Sequence, residues 1–200
     1  MSQKPDSVPR ARRPGRNASN LEEVELIGRI VHGDMRAFDQ LYRIYFPRLM
    51  RFLSRMTRRP TMVEELINDT MLVVLHKAGT FNGKAKLSTW IFAIAYRKAL
   101  KALRDLDEPL EYDAREPADT PDNGPRNQIL QQQMHALLTR AVHALTAEHR
   151  AVIELTYFHG ADYREIAQIM DCPVATVKTR MFYARRRLKT LLPCGAEDFL

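Results

Sequence analysis

Six cations and no acid lie between Val174 and Leu192, namely Lys178, Arg180, Arg185, Arg186, Arg187 and Lys189, with Phe182 and Tyr183 among them. A second group, Trp90 and Tyr96 with Arg97, Lys98, Lys101 and Arg104, follows a short loop that carries Lys84 and Lys86. Cationic side chains attract phosphate in a salt-dependent way and aromatic rings stack on unpaired bases, so both groups have the chemistry of nucleic-acid binding. The sequence offers no paired carboxylates, metal cluster, phosphate loop or nucleophile motif at usable spacing. The expectation is therefore no enzyme, with no catalytic residue, no metal and no cofactor.

Such side chains work only if an element holds them on one face. Along residues 162–192, DYREIAQIMDCPVATVKTRMFYARRRLKTLL, Tyr163, Ile166, Ala167 and Met170 recur at helical spacing, and Asp162 with Glu165 can cap the first exposed N–H groups. Met170-Asp171-Cys172-Pro173 breaks the period; Pro173 has no N–H and a φ already near helical, which suits the first turn of a new helix. On that helix Val177, Met181, Ala184, Leu188 and Leu191 fall within an arc of about 100°, the width of a core-facing seam. Ala175, Thr179, Phe182 and Arg186 lie opposite the seam, Lys178 and Tyr183 on its shoulders, and Thr176 and Arg180 complete the candidate set. A basic run alone is usually a solvated face. A capped partner helix, a turn and aromatics among the cations together predict a helix-turn-helix whose second helix enters a DNA major groove.

The second group begins with Asn82-Gly83-Lys84-Ala85-Lys86-Leu87-Ser88, a polar and cationic loop, and Ser88 is placed to cap a helix from Thr89 to about Arg104. For Trp90, stacking on a base and packing inside a bundle are equally open. Upstream, Asn20 and Glu23 resemble a capping pair for a helix at about 21–32, with Leu21, Val24, Ile27 and Val31 as its apolar stripe ending at Gly33. A pattern over 34–56 runs through Phe38, Leu41, Tyr42, Tyr45, Leu49, Phe52 and Leu53, and Pro47 is expected to kink or split it. A helix at about 62–77 places Val63, Leu66, Ile67, Thr70 and Val74 inside, with Glu65, Asn68, Asp69, Leu72 and His76 outside. By itself that acidic stripe reads as solvated surface.

The chain of 200 residues carries a net charge of +7, which points to a polyanionic partner, and its 45% apolar content suits helical cores. Residues 1–20 hold three prolines and five cations with little to bury, and are expected to be a disordered basic tail. From Asp105 to Gly124 eight acids face Arg115 alone, with Pro109, Pro117 and Pro121, which marks 105–126 as an acidic linker. It separates a domain at 21–104 from one at 127–192, followed by a tail at 193–200. Helices are expected through Leu130, Met134, Leu137, Leu138, Ala141 and Leu145, and from Thr146 to Phe158, closed by His159-Gly160. Cys172 and Cys194 have no metal-ligand spacing and are too few for a disulfide framework, and no apolar run approaches a membrane span. A cytoplasmic protein without membrane insertion is the expectation.

Three stretches then carry a resemblance: EELINDTMLVVL (64–75), FNGKAKLSTWIFAIAYRKALKALR (81–104) and LTAEHRAVIELTYFHGADYREIAQIMDCPVATVKTRMFYARRRL (145–188). In order and spacing the chain resembles, from about Leu21 to Leu192, a bacterial RNA polymerase sigma factor of the extracytoplasmic-function (ECF) type. The resemblance implies an all-α fold of two helical domains, region two and region four, joined by a flexible linker. It also implies core RNA polymerase and promoter DNA as partners, an anti-sigma factor, and a place in stress response. Carried over by position, Glu65, Asn68, Asp69 and Leu72 would dock on the polymerase core. Asn82, Lys84, Lys86, Ser88, Thr89, Trp90, Tyr96, Arg97 and Lys101 would capture and melt the minus-ten element. The helix from Val174 would read the minus-thirty-five element. Arg97 and Lys101 stand where many relatives carry Asn and Asp, and Asn68 where Gln is frequent.

Two other classes compete. A simple helix-turn-helix regulator would need a ligand-binding or receiver pattern, and residues 21–104 show neither. A sigma-mimicking protein that only titrates an anti-sigma factor should have lost the groove-facing cations, and Lys178 and Arg186 are present.

Overall fold

The computed structural model describes residues 16–57, 59–105 and 137–192, with side chains from Asn20 onward. The basic tail up to residue 15, the acidic linker from 106, the start of the second domain up to 136 and the tail from 193 lie outside the described residues. Eight α-helices and no strand occur within them: α1 (Arg16–Val31), α2 (Met35–Met56), α3 (Val63–Lys77), α4 (Leu87–Asp105), α5 (137–143), α6 (Ala147–Tyr157), α7 (Tyr163–Met170) and α8 (Val174–Leu191). The fold is all-α, as the periodicity predicts.

Asp34 organises the entry to the first bundle. Its carboxylate accepts from the Arg36 and Ala37 backbone N–H groups at 2.9 and 3.1 Å and from Arg29 at 2.7 Å, while Gly33 supplies the left-handed turn (φ 85°) between α1 and α2. Ala37, Leu41, Tyr45, Leu49, Phe52, Leu53 and Met56 then form the continuous buried face of α2. Pro47 lies inside that helix without splitting it. Pro47 and Arg43, whose carbonyl loses its partner, are both exposed, so water can serve the carbonyl and the buried face is not interrupted.

Helix α1 departs from the expected stripe. It begins at Arg16, runs through Asn20 without a cap there, and turns Glu23, Leu26, Ile27 and Ile30 inward, leaving Leu21 71% exposed and Val24 and Val31 outside. The cause is a polar one. The buried Glu23 carboxylate accepts from the Tyr45 hydroxyl at 2.5 Å and pairs with Arg48 at 3.1 Å, and that charge-assisted network fixes the rotation of the helix. Burial accordingly pushes the Tyr45 phenol far up.

Helix α3 buries the expected residues, and α4 starts at Leu87, so Ser88 sits in its first turn and does not cap it. From Ile91 to Tyr96 every residue of α4 is buried, because α3 covers one flank and α7 another. In the second bundle Thr146 caps α6, accepting from His149 N–H at 3.3 Å. Asp162 and Glu165 form the expected capping box of α7, and Asp171 ends that helix in the left-handed conformation (φ 50°). Val177, Met181, Ala184 and Leu188 form the buried seam of α8, but Leu191 is exposed. The helix stops there, and the extended backbone of Leu192 turns that side chain inward instead.

The two bundles pack on each other, α4 against α7 and the end of α2 against α6. At the junction the buried Arg150 guanidinium donates to the carbonyls of Met56 (2.7 Å), His143 (3.1 Å) and Leu145 (3.0 Å). Replacing Asp162 by Ala removes two backbone acceptor contacts and should lower unfolding stability by about 1 kcal/mol. Chemical denaturation checks this, and an unchanged midpoint would remove the cap from the account of α7.

Candidate nucleic-acid interface

Burial of the α8 seam decides what its far side presents. Ala175, Lys178, Thr179, Phe182, Tyr183 and Arg186 are exposed, Phe182 by 61%, while Thr176 and Arg180 are half-buried. Phe182 and Tyr183 meet edge to face at 5.4 Å between centroids, a rigid aromatic pair beside the cations. Arg185 is held back by the Tyr157 hydroxyl, to which it donates at 2.6 and 3.0 Å, and an Arg180 N–H points at Cys172 Sγ at 3.7 Å. The free cationic surface of α8 is thus narrower than the run of six cations, with Lys178 and Arg186 at its centre.

The second cationic group is divided. In the loop, Asn82 Oδ1 accepts from Lys84 N–H at 3.1 Å and Gly83 takes φ 70°, a turn that leaves Asn82 and Lys84 exposed. Lys86 is exposed as well, but its ammonium pairs with the Glu165 carboxylate of α7. Arg97 and Lys101 face outward on α4, and Ser88 is half-buried. Trp90 is also half-buried, its ring 5.6 Å from Phe81, so packing takes part of the indole and leaves part free. Thr89 and Tyr96 are not available, at 5% and 3% exposed. Burial pushes the Tyr96 phenol up to about 12, and Arg180 and Glu148 of the other bundle act on it in opposite senses.

On α3, Glu65, Asn68 and Leu72 are exposed and Asp69 is half-buried. Asn68 accepts from the Tyr42 hydroxyl at 2.8 Å, and Lys98 Nζ reaches Asp69 at 2.7 Å. Those two partners were invisible in the sequence, since each lies more than 25 residues away and on another helix.

The junction between bundles holds the functional-looking groups that periodicity missed. Glu154, 1% exposed, pairs with Arg55 at 3.2 Å, and the Arg55 guanidinium stands 3.7 Å over the Phe158 ring. His159 packs on Phe92 and Phe52 at 4.7 and 5.8 Å. A cavity of about 240 Å³ beside them is lined by Glu23, Arg48, Lys86, Thr89, His159 and Glu165. Arg150 and Glu154 did leave a trace, a charged i,i+4 pair inside the apolar run AVIEL and its flank. Among the described residues no three His, Cys, Asp or Glu side chains gather as a metal site, and no helix is long and apolar enough to cross a membrane.

Comparison with known proteins adds to this geometry. Residues 41–108 match the family described as Sigma-70 region 2, and residues 135–188 the one described as Sigma-70, region 4. The chain is 33% identical over 164 residues to the ECF RNA polymerase sigma factor RpoE of Cereibacter sphaeroides, covering 79% of this chain and 87% of that protein. It is 28% identical to the ECF RNA polymerase sigma-E factor of Haemophilus influenzae, covering 86% and 96%. Among solved structures, CnrH in complex with the cytosolic domain of CnrY has a TM-score of 0.64 at 20% identity, covering 85% of this chain and 96% of that one. The sigma factor RpoE in complex with the anti-sigma factor NepR, from Bartonella quintana, also scores 0.64, at 24% identity, covering 79% and 98%. At those identities the structures share the fold.

Burial between the two rings, and then Arg48, Arg51 and Arg55 nearby, lower His159 from its ordinary 6.5 to about 4. The folded chain thus binds fewer protons than the unfolded one between those values, and stability present above pH 6.5 is lost as pH falls toward 4. The loss is on the order of 3 kcal/mol for a shift of that size. Comparing the unfolding free energy of the wild type with His159→Gln from pH 7 to 4.5 measures it, and parallel curves would remove His159 from the acid response.

Proposed function

The chain belongs to the ECF family of RNA polymerase sigma factors, and we propose from this that it binds core polymerase and directs it to promoters through three separate surfaces. A sigma factor is a transcription initiation factor and not an enzyme. The exposed outer side of α3, with Glu65, Asn68, Asp69 and Leu72, is the core-docking surface. The loop of Asn82, Lys84, Lys86 and Ser88, with Trp90, Arg97 and Lys101 of α4, takes the unpaired minus-ten strand, and the buried Thr89 and Tyr96 drop out of that surface. Extruding a base costs a few kcal/mol, offset by stacking and phosphate contacts, so neither ATP nor a catalytic group is called for. Helix α8 reads the minus-thirty-five element.

The observation that carries this reading is the division of α8: a wholly buried seam at Val177, Met181, Ala184 and Leu188, and an opposite face on which Lys178, Thr179, Phe182 and Arg186 all reach solvent. A helix 18 residues long with cations and an aromatic edge on one free face fits a major groove. The place of action is with the polymerase, in the cytoplasm. CnrH and the Bartonella RpoE were solved with CnrY and the anti-sigma factor NepR, and a partner of that kind is proposed for this chain too.

The direct test is transcription from a matched promoter by purified core polymerase with and without the protein; no stimulation on any promoter selected from the parent genome would overturn the proposal. Two substitution sets divide the surfaces. Glu65→Lys with Asp69→Lys should abolish core association, because attraction becomes like-charge repulsion at a cationic partner surface. Wild-type co-purification with core by a folded variant would take α3 out of the interface. Lys178→Ala or Arg186→Ala should cost about 1–3 kcal/mol on the cognate minus-thirty-five DNA and much less on scrambled DNA. Arg187→Ala should weaken both alike and flatten the salt dependence by about one unit of slope. Equal losses for all three variants on both DNAs would mean that α8 binds by charge alone.

A further inference from the structure

We propose that Tyr42 is a positioning residue of the core-docking face: its hydroxyl turns the Asn68 amide so that the N–H donors point away from the bundle, and the polymerase group that Asn68 meets is a hydrogen-bond acceptor. The proposal rests on the assignment of the outer side of α3 to core polymerase. Asn68 stands at the middle of that side, one helical turn from Glu65 and one from Leu72, and all three are exposed. The Tyr42 O–H donates to Asn68 Oδ1 at 2.8 Å. An amide carries its acceptor at one end and its two donors at the other, so a bond that captures Oδ1 decides which end is offered outward. Nδ2 is left on the side turned away from Tyr42.

The ring that carries this hydroxyl is fixed by its neighbours. Phe38, Tyr42 and Phe46 follow at one-turn spacing along α2, with successive centroids 6.4 and 5.7 Å apart, and all three are half-buried. Of these rings Tyr42 has the polar tip, and that tip reaches α3. Packing requires the ring and not the oxygen, because the bond borders solvent and water would replace either partner at little cost. The hydroxyl therefore contributes orientation more than stability. The neighbouring carboxylate is held in the same manner, since Lys98 of α4 donates to Asp69 at 2.7 Å. With Glu65 exposed beside them, the face offers a carboxylate in water, an oriented amide and the apolar Leu72.

In water an amide is hydrated equally well either way round; under a partner it is not. Leu72, 50% exposed, is the apolar group that docking covers, and water leaves Asn68 with it. An acceptor opposite Nδ2 then closes a hydrogen bond. An amide turned the other way would leave two acceptors facing each other in a dry contact, which costs more than the bond is worth. Orientation before contact also spares the ordering of a rotatable side chain on binding. Glu65 attracts a cationic surface at a distance, and Asn68 fixes where that surface comes to rest.

The test measures the affinity of the full-length chain for purified core polymerase, in competition with a fluorescein-labelled wild type, beside the midpoint of chemical unfolding. Tyr42→Phe keeps the ring and removes the oxygen; core affinity should fall about fivefold, the size of one neutral hydrogen bond, with the midpoint unchanged. Asn68→Asp still accepts from Tyr42, but it turns an acceptor outward and adds a negative charge. Toward a cationic surface that charge by itself would tighten binding, so the expected loss of about tenfold has the opposite sign to the electrostatic effect. In an Asn68→Ala background Tyr42→Phe should cost nothing further, which separates positioning from a general loosening of the bundle. Wild-type affinity for Tyr42→Phe, binding by Asn68→Asp at wild-type strength or above, or a Tyr42→Phe loss that persists beside Asn68→Ala would overturn the proposal. Glu65→Lys tells its failure from that of the docking reading. If Glu65→Lys binds core as the wild type does, α3 is not the docking surface and both fall; if Glu65→Lys loses core while Tyr42→Phe keeps it, the positioning falls and the docking surface stands.

Discussion

The burial of α4 on all sides is the constraint on which the rest of the molecule turns. From Ile91 to Tyr96 no residue of that helix reaches solvent appreciably, although the loop before it carries Lys86, and its second half Arg97, Lys101 and Arg104, in the open. A helix apolar around its whole circumference needs cover on every flank, and α1, α2 and α3 of its own bundle leave one flank to be covered from outside. The second cover comes from α7. That requirement brings the helix-turn-helix bundle onto the first one, and it places Arg55 beside Glu154, His159 between Phe52 and Phe92, and Glu165 on Lys86.

How far the sequence could be read depended on whether a local rule or a distant polar partner set each orientation. The helix-turn-helix was legible because its signals are local: Asp162 and Glu165 cap within four residues, and the buried spacing of α8 needs no partner to be recognised. Helix α1 was misread for the opposite reason. Leu21, Val24 and Val31 make the more apolar stripe, yet Glu23 faces inward, because Tyr45 and Arg48, more than 20 residues on, offer its carboxylate two hydrogen-bond donors. One buried, fully partnered carboxylate outweighs three aliphatic side chains left on a surface that proteins commonly leave apolar in part. Ser88 and Leu191 were smaller errors of one position, each at a helix end, where boundaries are least determined by pattern.

The candidate site was legible in the same uneven way. Residue types named the chemistry, since cations and rings at helical spacing point to nucleic-acid binding whatever the packing. Availability was not legible, because it belongs to the tertiary structure. Trp90, for which stacking and packing were equally open, turns out to do some of each, half-covered by Phe81. Tyr96 could not be recognised as buried, because what buries it lies beyond a linker that periodicity treats as a break.

An apolar helix left without cover has a solubility problem that a cationic helix face does not. Lys178, Thr179 and Arg186 on α8 are content in water, so that face can stand open. Tyr96 and the aliphatic residues around it are not, and an open α4 would present a contiguous apolar surface. Covering it with α7 costs little, because the apolar side chains that α7 contributes, Ile166, Ile169 and Met170, must be buried somewhere in any case. The charges at the rim then set how firmly the cover holds. Lys86–Glu165 is half-exposed and weak by nature, whereas Arg55–Glu154 is desolvated and responds sharply to loss of either partner.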